Sequence, residues 1–221
     1  MRNRSGTVPA SEGESVALPV AVMFAASWAC WIPVATGHVP VAARGSLWLL
    51  GVFAPALSAI AFTLGRGGLP AARALLRPVA QFRVHARWYL FAVGFMAAVK
   101  VLAALLHRAA LGSWPRFGHE GIVVILAAVV LSTPAQVGEE LGWRGYLLPR
   151  IARRLGFARA SLVVGVIWAL WHLPQFFLSS ADTYQQSFPL WTLEIVALLW
   201  LAAIAFLMRM PEIGVSRTPI A

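Results

Sequence analysis

Six stretches of this chain are apolar over about the length needed to cross a lipid bilayer, and nothing else in it constrains the fold as strongly. They lie at about 16–35, 46–65, 87–106, 121–137, 160–177 and 190–208. A helix rising about 1.5 Å per residue needs roughly 20 apolar residues to span the hydrocarbon layer. Hydrophobic residues make up 60% of the chain and charged ones only 12%, with a mean hydropathy of +0.75, far from the balance of a water-soluble domain. The expectation is an all-α, polytopic membrane helix bundle with about six transmembrane helices. The first run is longer than the apolar stretch of a signal peptide and has no clear small-residue cleavage site after it, so it reads as a span.

The placement of charge orients these spans. Of the net charge of +10, Arg66, Arg73, Arg77, Arg83 and Arg87 fill the second loop, and Arg144, Arg150, Arg153, Arg154 and Arg159 follow the fourth run. Arg2 and Arg4 precede the first run, and Arg209 and Arg217 follow the sixth. Alternating spans put all of these on one side, against Arg44, Arg108 and Arg116 on the other. Positively charged loops stay in the cytoplasm, so both termini are expected there. The same arginines meet anionic headgroups, making the lipid bilayer the expected partner of the basic surface. Nucleic acid is not expected, because no basic motif interleaved with aromatics accompanies the charge.

Four parts follow. Residues 1–15 form a polar N-terminal tail; residues 16–120 hold three spans and a basic amphipathic loop at 65–87; residues 121–210 form a core; residues 211–221 form a polar C-terminal tail. Within the loop, Leu69, Leu75, Leu76 and Val79 against Arg73, Arg77 and Arg83 suggest a short helix on the inner membrane surface. Polar residues inside apolar runs fall mostly after residue 120, which is where chemistry is to be sought.

That half contains "TPAQVGEELGWRGYLLPR", residues 133–150. Glu140 and Arg144 are four apart, share a helix face and can pair, while Glu139 points about 100° away. One acid is then neutralised by the guanidinium and the other is left to hold or deprotonate a water. Pro134 and Gly138 suggest a kink that opens the helix onto a wet cavity. The plainer reading makes both acids helix-end residues at headgroup level. The next span carries "GVIWALWHLPQFF", residues 165–177, in which His172 sits deep among apolar residues with Trp168 one turn before it. An imidazole at that depth needs a polar partner, and the carboxylates of the preceding span are the nearest candidates in sequence. Trp168 either lines the shared cavity or simply packs. Lys100 and Glu194 read as structural charges, a snorkelling base and a first-turn acid. His85 reads as a solvated loop residue, and the lone Cys30 excludes a disulfide within the chain.

"EELGWR" followed after roughly thirty residues by "WALWHLP" resembles the CPBP intramembrane proteases, also called Abi. That family includes the type II CAAX prenyl endopeptidases and bacteriocin self-immunity proteins. Its Glu-Glu-x-x-x-Arg motif is matched by Glu139, Glu140 and Arg144. Its aromatic-x-x-x-His motif is matched by His172, with Trp168 in the aromatic place. The resemblance covers about residues 121–210. It implies catalysis by Glu139 and His172 on a water, supported by Glu140 and Arg144 in a cavity lined by Trp168, with a peptide or membrane protein as substrate. It implies no cofactor: one Glu and one His fall short of the three ligands usual for catalytic zinc. The family's third motif, a His followed four residues later by Asn or Asp, has no match, since no His and no Asn occurs after Leu190. By the resemblance, this is a shortened member whose hydrolysis is impaired. The alternative it leaves open is a catalytically inactive membrane scaffold or a self-immunity-type binding protein.

Overall fold

The computed structural model describes residues 15–83, 85–114 and 121–177, together with Thr192. Among these residues every regular element is helical. The order is α1 (Ala17–Ala35), α2 (Val41–Leu76), a 3₁₀ turn (Arg77–Ala80), α3 (Ala86–Leu111), α4 (Ile122–Glu140), a π-helical segment (Leu141–Leu147), α5 (Leu148–Leu155), α6 (Phe157–Trp171) and a closing 3₁₀ turn (Leu173–Phe177). Three helical stretches among them are long and apolar enough to cross a membrane: Ala17–Ala35, Val41–Ala80 and Phe157–Phe177. This is a membrane helix bundle, as the apolar runs imply. The runs at 87–106 and 121–137 fall within α3 and α4. Apart from Thr192 and Ser15, the run at 190–208, with Glu194, and the two tails lie outside the described residues, as does the side chain of Lys100.

The chain divides into two units, Met1–Leu76 with Ala135–Ala221, and Arg77–Pro134. In the first, α1 packs along α2 and α5 packs on α6, while the π-helical segment lies against α2. The core is rich in large rings: Trp31, Trp143, Trp171 and Tyr146 are fully buried, with Met23, Val52, Leu147 and Val164 around them. Two polar contacts fix α1 on α2. The Ser27 hydroxyl donates to the Gly51 carbonyl at 2.8 Å, and the Trp31 indole donates to the Trp48 carbonyl at 3.1 Å. Leu18, Leu49, Leu50 and Leu57 point out of the protein, the arrangement of helices solvated by lipid rather than water.

At 36 residues α2 is too long for one crossing, about 54 Å at 1.5 Å per residue against a hydrocarbon layer of about 30 Å. It breaks at Gly68, whose φ of 64° and ψ of −164° lie outside helical geometry. Residues 69–76 then resume the helix, with Pro70 in the first turn, where its missing N–H costs nothing. The helix expected inside the basic loop is therefore present as a continuation of α2. Its inward face is Ala71 and Ala72, with Leu69 and Leu76 exposed.

In the second unit, α3 begins at His85, whose Nδ1 accepts the backbone N–H of Arg87 at 3.3 Å. The residue read as a solvated loop histidine is thus the N-cap of a helix. The same helix ends on Gly112 in the left-handed conformation, whose N–H donates to the Arg108 carbonyl at 2.9 Å.

Candidate active site

The acidic pair stands where α4 gives way to the π-helical segment. Pro134 lies inside α4, and the departure from α-geometry comes after the acids, at Leu141–Leu147, rather than before them. A π-turn widens the coil by one residue and turns the following side chains away from their α-helical positions. The expected role of Gly138 also changes. A Cβ there would sit 2.6 Å from the Phe53 ring, and one on Gly142 would sit 2.5 Å from Pro55 Cβ and 2.8 Å from its carbonyl carbon. Four residues apart, these glycines let the segment bearing Glu139 and Glu140 lie flush on α2, a small-residue contact common between membrane helices. Gly138 serves packing.

The two acids divide as their spacing implies. Glu140 pairs with Arg144, Nη1 to Oε1 at 2.6 Å, and this pair is open to its surroundings, with side chains 49% and 26% exposed. Glu139 points the other way and is only 7% exposed. Its Oε2 accepts the indole N–H of Trp168 at 3.2 Å. With Glu139, Glu140 and Arg144 all ionised, the cluster carries one net negative charge.

His172 is fixed by how α6 ends. Its backbone N–H donates to the Ala169 carbonyl, and that of Gln175 to the His172 carbonyl, so the last turn tightens into 3₁₀ geometry. Tightening removes the i→i−4 donors that the Trp168 and Trp171 carbonyls would otherwise receive. Side chains take their place. His172 Nδ1 lies 2.9 Å from the Trp168 carbonyl, and the Trp28 indole of α1 donates to the Trp171 carbonyl at 2.9 Å. A carbonyl can only accept, so Nδ1 carries the proton and, in the neutral ring, Nε2 carries the lone pair. The imidazole is held edge-to-face between two indoles, 4.3 Å from the Trp168 ring and 4.7 Å from that of Trp171. His172 is 6% exposed.

The structure thus gathers the five residues singled out in the sequence. Trp168 links them: it hydrogen-bonds Glu139 and His172, and its ring lies 5.4 Å from the guanidinium carbon of Arg144. Sequence reasoning missed the support of Trp28, for which an isolated indole in an apolar run gives no signal. It also missed the glycine contact, although the Gly-x-x-x-Gly spacing of Gly138 and Gly142 was there to be seen. An apolar groove of about 490 Å³, lined by Val22, Leu57, Ser58, Ala61, Phe62, Gly65 and Arg66, includes none of the five. Among the described residues no group of three or more His, Cys, Asp or Glu is placed to hold a metal ion.

Fold and site together define a helical membrane protein in which a buried carboxylate and an imidazole share one tryptophan. Residues 119–211, which contain all five site residues, match the family described as type II CAAX prenyl endopeptidase Rce1-like. The chain is also 34% identical over 97 residues to CAAX prenyl protease 2 of Methanococcus maripaludis, a match covering 41% of this chain and 35% of that protein. The chain thus spans about a third of the length of that curated relative. Over this stretch the chain is similar to the CPBP family.

Proposed function

We propose that this chain is an intramembrane endopeptidase of the CAAX-protease type, acting at the cytoplasmic side of a cell membrane that it crosses several times with both termini inside. One observation supports the reading: Glu139, from α4, accepts the Trp168 indole N–H, and His172, at the end of α6, bonds the carbonyl of that same tryptophan, so an acid and an imidazole share one residue. The arginine distribution supports the orientation.

The chemistry follows from the donor set. Glu139 takes one proton from a water while the Nε2 lone pair of His172 accepts a hydrogen bond from the O–H that the oxygen keeps, and so aims it. The oxygen bonds to the peptide carbonyl carbon, and the carbonyl π pair becomes an oxyanion. When that pair returns, the C–N bond breaks and the proton held on Glu139 passes to the departing amine. Glu140 and Arg144 neutralise each other, leaving Glu139 as the acid that works. No metal takes part in this scheme, in which a base and an orienting imidazole suffice. The expected partners are a peptide or membrane-protein substrate and the bilayer, with no nucleic acid.

The name of the methanococcal relative suggests the probe, an internally quenched peptide ending in Cys-aliphatic-aliphatic-X, with and without a farnesyl group on the cysteine. The chain in proteoliposomes should cleave it, and Glu139→Ala and His172→Ala should each abolish cleavage. If both variants match the wild type, the reading is wrong. A wild-type chain that cleaves neither form of the peptide also counts against it and favours a binding role.

A further inference from the structure

An aromatic residue one turn before His172 needs only a ring to fill its space, and phenylalanine would do that. This chain has tryptophan there, and the structure uses every part of it. The indole N–H donates to the buried Oε2 of Glu139 at 3.2 Å. The main-chain carbonyl takes the Nδ1 proton of His172 at 2.9 Å. The ring meets the imidazole edge-to-face at 4.3 Å and lies 5.4 Å from the guanidinium carbon of Arg144. Only the first of these contacts requires an indole, because phenylalanine keeps the carbonyl, the ring edge and the ring face.

We propose that Trp168 is a positioning residue: its indole N–H holds the Glu139 carboxylate at a set place relative to the imidazole that its own carbonyl orients. A carboxylate on a flexible two-methylene arm samples several rotamers. A donor on a rigid bicyclic ring selects one of them, and the ring is itself pinned against His172 and Arg144. Because acid and imidazole are each hydrogen-bonded to the same residue, the rigid indole adds a constraint on their separation to the one set by helix packing. Reaction rates are sensitive to such placement, since an error of about 1 Å can cost about a hundredfold. The kinetic consequence rests on the endopeptidase reading; the contact and its effect on Glu139 do not.

The test has two arms that fail separately. In the first, the full chain in lipid nanodiscs is labelled with indole-¹⁵N tryptophan, and Trp168→Phe identifies the Trp168 signal by its loss. Glu139→Gln should move that signal upfield and speed its hydrogen–deuterium exchange at least tenfold, because the charged acceptor is gone. A signal unchanged in position and exchange overturns the proposal. In the second arm, Trp168→Phe should lower kcat on the farnesylated quenched peptide about tenfold and leave KM within about twofold, with the melting temperature kept. Wild-type kcat in that variant also overturns it, as does an equal loss carried entirely by KM. Should Trp168→Phe fail to fold, Trp168→Tyr identifies the signal instead, and the Glu139→Gln exchange measurement still decides. A wild-type chain inert toward the peptide sinks the endopeptidase reading while the first arm settles the contact.

Discussion

Gly142 lies against Pro55 so closely that a Cβ would come within 2.8 Å of the Pro55 carbonyl carbon and 2.9 Å of its oxygen. Those atoms are main chain inside α2 and cannot swing aside. At Gly138, four residues earlier, the atoms in the way belong to the Phe53 ring, at 2.6 and 2.8 Å, and a ring can turn. Gly142→Ala should therefore destabilise the protein by about 1–3 kcal/mol, the usual cost of overfilling a packed interface. Gly138→Ala should cost clearly less. Melting temperatures of the two variants in the same detergent check this ordering, and a Gly142→Ala protein as stable as the wild type would show that the contact is not tight.

Replacing Glu139 or His172 by alanine should remove peptide cleavage while leaving membrane yield unchanged. Glu139→Gln keeps size and a hydrogen-bond acceptor but is a far weaker base. A loss of about 10²–10⁴ in kcat is expected from removing one general base. Initial rates in proteoliposomes measure this; a loss below tenfold for Glu139→Gln would move the proton-transfer role to another residue.

The Glu140–Arg144 pair is short but open, so its worth as an ion pair is small. A double-mutant cycle with Glu140→Gln and Arg144→Gln should return a coupling of less than about 1 kcal/mol in stability. Turnover should fall more in Arg144→Gln than in Glu140→Gln, because Arg144 also lies over the Trp168 ring. Equal losses in both would mean that the contact with the ring contributes nothing to the site.

Trp28 reaches the site from a distance. Its indole satisfies the Trp171 carbonyl left open by the tightened end of α6. Trp28→Phe keeps most of the apolar area but strands that carbonyl, which should cost about 1–3 kcal/mol. The melting temperature should fall while KM for the quenched peptide stays near the wild-type value. A variant with unchanged stability would show that the carbonyl finds another donor.

The amino-acid sequence alone determined the solvent of this protein and picked out the residues of its candidate site. Runs of about twenty apolar residues have few alternatives to membrane helices, because unpaired backbone groups are too costly in hydrocarbon. Hence α1, α3 and α4 coincide closely with the runs read from the chain. The pairing of Glu140 with Arg144 was equally legible, since it depends only on a spacing of four along one helix. At residues 65–87 the amphipathic pattern gave a short helix, but not that it continues α2 past a single break at Gly68. What tertiary structure decided is everything that passes between segments distant in sequence. The π-helical turn after Glu140, the flush contact of Gly138 and Gly142 on α2, and the indole bridging Glu139 and His172 each require a partner brought up by folding. A carboxylate and an imidazole 33 positions apart in the sequence share a site because the last turn of α6 tightens and leaves carbonyls for side chains to fill. That is a property of packed helix ends, which no spacing within one segment records.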